Sequence, residues 1–289
     1  MANLKEIRNR ISSVGSTMQI TSAMKMVSAA KLKRAQDAVT QMRPYASKLR
    51  EILENLSASL DLSENAFADQ REVKKVLIVG ITSNRGLCGG FNNNIIKRVG
   101  SLLSNDYANH DVSVLCLGKK IKDIYKNTPN YYSNPILESM EDVYANLRFE
   151  LVSQVAEEIM AQFTNKHFDK VVLVYNRFVN AATQVVETEQ FLPIIPTISD
   201  SKPGDYLFEP SKMEIVDDLL PKSMKLQLYK AIRDSFAAEH GARMTAMHKA
   251  TDNASELQKS LKLSYNKARQ AAITNEILEI VGGAEALNG

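Results

Sequence analysis

A chain of 289 residues with 44% apolar content is long enough for one or two domains with a real core, and it is not a disordered polymer. Its net charge is only +3, but the basic excess lies in residues 1–58, where ten Lys and Arg face four Asp and Glu; such a segment suits nucleic acid, anionic lipid or an acidic protein surface. Cys88 and Cys116 are too few and too separated for a disulfide scaffold or a zinc site, which points to a reducing compartment, and no apolar run approaches the roughly 18 residues of a membrane span. The opening MANLKEIRNRISSV enters charged helical sequence directly, without an apolar signal core or a visible transit peptide, so a bacterial protein on the cytosolic side is expected.

All eight prolines fall between Pro44 and Pro221, so both ends read as long helices. In the first, Leu4, Ile7, Ile11, Val14 and Met18 recur at three and four residues as a coiled-coil seam, after which the phase is expected to slip to Ile20, Met24 and Val27. Pro44 is expected to kink or end this helix, which resumes through Leu49, Ile52, Leu53 and Leu56. The period then changes. Residues 76–79 with Ile81, 112–117 and 171–175 are short β-branched runs of the buried-strand kind, with helical patterns between them. The clearest of these helices carries Val143, Leu147, Leu151, Val155, Ile159 and Phe163, and residues 184–191 read as an edge strand before a proline-marked linker, 193–210. The predicted fold class is therefore α/β: a central Rossmann-like domain with a mainly parallel sheet over residues 70–200, and an antiparallel coiled coil of terminal helices over 1–60 and 211–289.

The second long helix is expected to follow Pro221, with Met247, Ala250, Ala254, Leu257, Leu261, Ser264, Ala268 and Ala271 as its seam. Ala and Ser at so many seam positions bury little area, so the pair is expected to need a surrounding sleeve. Roughly sixty residues separate Pro221 from the pair Gly282 and Gly283, about 90 Å of helix, and how far the helix continues past those glycines is left open.

Candidate sites are few. The segment ITSNRGLCGGFN, residues 81–92, lies where a phosphate loop would lie, but it has no Gly-Lys-Ser/Thr and the spacing of Gly86, Gly89 and Gly90 is not a dinucleotide fingerprint; a tight strand-to-helix turn is the stronger reading. His110, His167, His240 and His248 are scattered, and Asp217 and Asp218 are explained by the dipole near a helix start. The basic cluster Lys25, Lys31, Lys33 and Arg34 reads as a solvated face or as an acidic partner's contact, and the apolar residues Ile273, Ile277, Leu278, Ile280 and Val281 suit entry into a partner. A nucleotide-binding α/β enzyme and a free-standing coiled-coil adaptor remain competing readings.

Four segments are specific. ITNEILEIVGGAEA (273–286), ITSAMKMVSAAKLKRAQ (20–36), SNRGLCGGFN (83–92) and ARMTAMHKATDNA (242–254) resemble characteristic segments of the gamma subunit family of bacterial F-type ATP synthase, and the resemblance runs over essentially the whole chain. It implies a central rotor shaft turning inside a head of three alpha and three beta subunits, joined below to the epsilon subunit and the membrane c-ring, on the cytoplasmic side of the cell's inner membrane. It also implies no catalytic, cofactor or metal site in this subunit, no nucleic-acid partner and no direct small-molecule substrate. Carried over by position, Met24 and Lys25 meet an acidic beta-subunit loop with Arg243 close by. Arg269, Gln270, Thr274 and Glu276 meet the head higher up, and Lys31, Lys33 and Arg34 gain an acidic partner. The chain lacks the inserted segment with a closely spaced cysteine pair found in chloroplast relatives, so thiol switching of that kind is not expected; Asn84 stands where many relatives have Asp, which leaves the turn reading intact but removes a possible salt-bridge partner.

Overall fold

A computed structural model describes residues 4–57, 65–134, 147–194 and 212–288. The elements are α1 (Leu4–Ser57), β1 (Lys75–Ile81), α2 (Phe91–Ser101), β2 (Asp111–Leu117), α3 (Lys119–Tyr125), α4 (Phe149–Thr164), β3 (Lys170–Phe178), β4 (Gln184–Leu192) and α5 (Lys212–Asn288). They form two compact units, Ser28–Arg243 and the pair of segments Met1–Val27 and Met244–Gly289.

The larger unit is built on a four-stranded sheet in the order β2-β1-β3-β4. β1 pairs parallel with β2 and with β3, and β4 closes the edge antiparallel to β3. The three inner strands were legible because both faces of a parallel sheet are covered, so their residues run continuously apolar. Alternation along them separates two cores. Leu77, Val79, Ile81, Leu115, Leu117, Val171, Leu173 and Tyr175 face α4 and Met224, Leu228 and Ile232 of α5. Val76, Ile78, Val112, Val114, Val172 and Val174 face Ile95 and Val99 of α2 and Ile121 and Tyr125 of α3. In α4 the buried stripe is Val152, Val155, Ala156, Ile159, Met160 and Phe163, with Leu151 only half-buried. A strict spacing of four drifts around a helix of 3.6 residues per turn, and the stripe corrects for it. Val143 and the segment 195–210 of the expected linker lie outside the described residues.

The β3–β4 hairpin is set by Asn180, whose Oδ1 accepts from the backbone N–H of Ala182 and Thr183 at 2.9 and 2.8 Å. Arg71 ties the approach to β1 to the start of β3, donating to Asp169 at 2.8 Å and to the Phe163 carbonyl at 2.9 Å.

One helix boundary differs from expectation, the start of the second long helix ahead of Pro221. α1 passes through Pro44 as one element of 54 residues, and α5 begins at Lys212, nine residues ahead of Pro221, which lies inside it. A proline removes one helical hydrogen bond at a cost of about 3 kcal/mol. Ile52 and Leu53 of α1 pack against Val216 and Leu220 of α5 around Ala68, which places apolar burial next to Pro221. α5 also continues through Gly282 and Gly283 to Asn288.

In the smaller unit the first turns of α1 and the last part of α5 form an antiparallel pair. Arg8 donates to the Tyr265 hydroxyl at 2.8 Å, Thr21 bonds Thr251 at 2.8 Å and Lys25 reaches His248 at 3.3 Å, so contacts climb one helix as they descend the other. The expected seam of α1 holds from Leu4 to Met18, but no phase slip follows: Thr21 is buried, Met24 half-buried, and Ile20 and Val27 are 60% and 57% exposed. On α5, Met247, Ala250, Ala254, Leu261 and Ala268 take their expected inward places, while Leu257, Ser264 and Ala271 are exposed and Gln258, Tyr265 and Ala272 replace them. The seam keeps its heptad step but alternate positions move by one residue, and Tyr265 turns in where its hydroxyl accepts from Arg8. Of the side chains in this unit's described residues, only Ile7, Thr21, Met247 and Ala254 are fully buried, so the pair gains little from apolar burial against the entropy of ordering two helices.

Candidate functional site

The glycine-rich segment leaves β1 through Thr82 and Ser83, both fully buried. Thr82 N–H extends the β1–β2 pairing to the Leu117 carbonyl at 2.8 Å. The first N–H groups of α3 are then closed by this segment: Lys119 N–H donates to Asn84 Oδ1 at 2.9 Å, Lys120 N–H to the Ser83 carbonyl at 3.2 Å and Ile121 N–H to Thr82 Oγ1 at 3.1 Å. These α3 donors are engaged within the chain, so the segment works as a cap for α3, with Asn84 contributing as a hydrogen-bond acceptor.

Asn92, on the first turn of α2, fastens the other side. Its Oδ1 accepts from Ser83 N–H at 2.9 Å and its Nδ2 donates to Cys88 Sγ at 3.2 Å. Arg243 of α5 closes the loop from behind, donating through Nη2 to the carbonyls of Arg85 and Gly86 at 3.2 Å each and through Nη1 to Glu239 at 2.6 Å. Cys88 is buried with Phe91, Ala238 and Ala242; burial pushes its thiol pKa up, and the nearby Arg243 guanidinium pulls it back. Held this way, the loop presents Leu87, with a φ of 62° and 66% exposure.

Glu239 and His240 show what this packing requires. Burial raises the Glu239 carboxyl pKa against the pull of Arg243 and Lys31. His240 meets Phe236 edge-on at 4.5 Å, and neither of its ring nitrogens has a hydrogen-bond partner among the described residues. Burial, followed by the Arg243 and Lys31 charges, lowers its pKa to about 3. The unfolded chain therefore takes up a proton at His240 first, near 6.5, and this residue's contribution to stability is complete above that pH and declines as pH falls towards 3. The raised Glu239 acts in the opposite sense above 4.5. The variant His240→Leu is expected to gain stability relative to wild type as pH drops from 7.5 to 5, measured by thermal unfolding; a difference independent of pH would contradict this assignment.

The other expected contact residues divide between the two units. Met24 and Lys25 are half-buried on α1, and Arg269, Gln270, Thr274 and Glu276 are exposed on α5, all in the smaller unit. Lys31, Lys33 and Arg34 are exposed in the larger unit, whereas Arg243 is buried there with its guanidinium turned inward to the loop and Glu239. Ile273, Ile277, Leu278, Ile280 and Val281 are all exposed. Asp217 and Asp218 do not converge on a site: Asp217 accepts from Asn65 at 2.9 Å and Asp218 pairs with Lys222 at 2.6 Å. The described residues contain no group of three metal-ligating side chains, and no helix among them is long and apolar enough to cross a membrane. Sequence reasoning missed Asn92, Glu239 and Asp252 and gave His248 no role. Only the i,i+4 spacings of Glu239 with Arg243 and His248 with Asp252 signalled them in advance.

With this geometry established, comparison with known proteins identifies the chain. The profile of the ATP synthase family matches residues 3–287. The ATP synthase gamma chain of Flavobacterium johnsoniae is 62% identical over the full length of both chains, and that of Cytophaga hutchinsonii 51%, again over both full lengths. Among solved structures, a chain of the Tetrahymena thermophila mitochondrial ATP synthase central stalk and c-ring aligns at 25% identity with a TM-score of 0.58, covering 80% of this chain and 99% of that one. A chain of the Euglena gracilis mitochondrial ATP synthase shares the fold with a TM-score of 0.66 at 23% identity, covering 98% and 94%. The chain, with its α/β sheet and its paired terminal helices, thus shares its fold with these ATP synthase chains. The chain belongs to the ATP synthase gamma chain family, and its function is that of the rotor shaft of F-type ATP synthase.

Proposed function

We propose that this shaft couples proton movement through a membrane c-ring to ATP synthesis and hydrolysis in an alpha3beta3 head by turning within it, with no catalytic group of its own. The observation that carries the reading is the thin, hydrogen-bonded seam of the helix pair beside a run of exposed apolar residues, Ile273 to Val281, on α5. A helix pair that buries so few side chains gains stability from a surrounding sleeve, and the exposed apolar run supplies the surface for one. The epsilon subunit and the c-ring complete the partners, and the chain sits peripherally on the cytoplasmic face of the inner membrane. Met24, Lys25, Lys31, Lys33, Arg34, Arg269, Gln270, Thr274 and Glu276 contact the head, with Arg243 contributing from behind by holding the loop that carries Leu87. Rotation of an asymmetric shaft favours a different conformation of each catalytic subunit in turn, which is coupling through differential contact.

Reversing the charge of Lys31, Lys33 and Arg34 together is expected to lower ATP-driven proton pumping in membrane vesicles about threefold to tenfold relative to ATP hydrolysis, the size expected for three exposed pairs. Unchanged pumping would remove these residues from the contact. Failure of the wild-type chain to co-purify with the head and epsilon subunit from detergent-treated membranes would remove the reading itself.

A further inference from the structure

The pair formed by Lys25 and His248 has a feature that its role as a head contact does not require. His248 Nδ1 lies 3.3 Å from the Lys25 ammonium of α1 and 3.4 Å from an Asp252 carboxylate oxygen on its own helix. One nitrogen cannot serve both. A neutral ring with its proton on Nε2 accepts from Lys25; a protonated ring carries N–H on Nδ1, donates to Asp252 and repels Lys25. We propose that His248 is a proton-controlled positioning residue that holds Lys25 against α5 when neutral and releases it when charged, with Asp252 as the group that receives the protonated ring.

The contact is built to act this way. The neutral Thr21–Thr251 pair at 2.8 Å, one turn along each helix, fixes the register that sets Lys25 and His248 opposite each other. The charged groups that face the ring are Lys25 from α1 and Asp252 from α5. Histidine is the residue type whose charge ordinarily changes between about pH 5 and 8. The His248 and Asp252 side chains are 57% and 61% exposed, so the effect must be screened by salt.

The inference rests on the reading of Lys25 as a head contact, and the test separates the two. With four histidines in the full chain, His248 is resolvable by NMR of its ring carbon through a pH titration. Lys25→Gln is expected to move the His248 midpoint up and Asp252→Asn to move it down, each by a few tenths of a pH unit at low salt, with both shifts collapsing at high salt. Shifts in the same direction, or none, overturn the positioning role. In the assembled enzyme, the ratio of pumping to hydrolysis in wild type is expected to change across this pH range, to lose its pH dependence in His248→Gln, and to stay at its acidic value in His248→Lys. Opposite NMR shifts with no change in pumping would keep His248 as the holder of Lys25 while removing Lys25 from the head contact.

Discussion

Arg243→Met is expected to destabilise the folded chain by about 3–5 kcal/mol, the loss typical when one partner of a buried ion pair is removed. Both side chains of the pair are almost wholly buried, at 8% and 7% exposure, so water cannot take over the role of the lost guanidinium. The Glu239 carboxyl pKa is already raised by burial with Arg243 in place, which means that the pair is held at a net desolvation cost. Above pH 4.5 this raised group loses stability as pH rises through its folded value, and removing Arg243 extends that loss upward. Replacing Glu239 by Met in the same background is therefore expected to recover most of the stability in denaturant titration, since two matched apolar side chains leave no buried charge. What the double variant does not recover is the loop: the Arg85 and Gly86 carbonyls lose the guanidinium that donates to them, and the buried Cys88 is expected to react faster with a thiol reagent in both variants. A loss below about 1 kcal/mol in the single variant, or unchanged Cys88 labelling, would show that Arg243 neither balances Glu239 nor fixes the loop.

How much of this was legible in the sequence follows from the range of the forces involved. The strands are legible to within a residue, except that β3 runs three residues past Tyr175, because burial on both faces writes itself as continuous β-branched runs. The helix seam is less legible because apolarity alone does not mark its inward face. Thr21 and Tyr265 turn inward because each finds a hydroxyl or guanidinium across the pair, whereas Ile20 and Leu257 remain outside. Pro221 does not start the second helix, because a proline's penalty is local and fixed whereas the apolar contacts of Val216 and Leu220 beside it, around Ala68, come from residues far away in the sequence. The role of Arg243 was illegible for the same reason. Its pairing with Glu239 four residues away is a visible pattern, but its two carbonyl acceptors lie 158 and 157 residues distant on the glycine-rich loop.

That loop also sets the second large effect. Gly118→Ala is expected to destabilise the chain by at least about 3 kcal/mol and to lower its melting temperature by roughly 6–12 °C. Gly118 stands between β2 and α3 with φ of +108°, a conformation that side chains with a Cβ rarely adopt. An added Cβ would meet the carbonyl oxygen, carbonyl carbon and Oγ1 of Thr82 at 2.1, 2.7 and 2.9 Å. Thr82 cannot retreat, because its N–H is bonded to Leu117 and its Oγ1 caps Ile121. Relief would have to come from separating the end of β1 from the start of α3, which also breaks the bonds from Lys119 and Lys120 to Asn84 and Ser83. Gly89 makes the useful contrast, since it too has positive φ, at +60°, but a Cβ there meets nothing within 4 Å. Gly89→Ala should therefore register backbone strain alone, about 1 kcal/mol, and leave α3 in place. Equal losses at the two glycines in thermal unfolding would mean that conformation, and not the close approach of Thr82, is what Gly118 supplies.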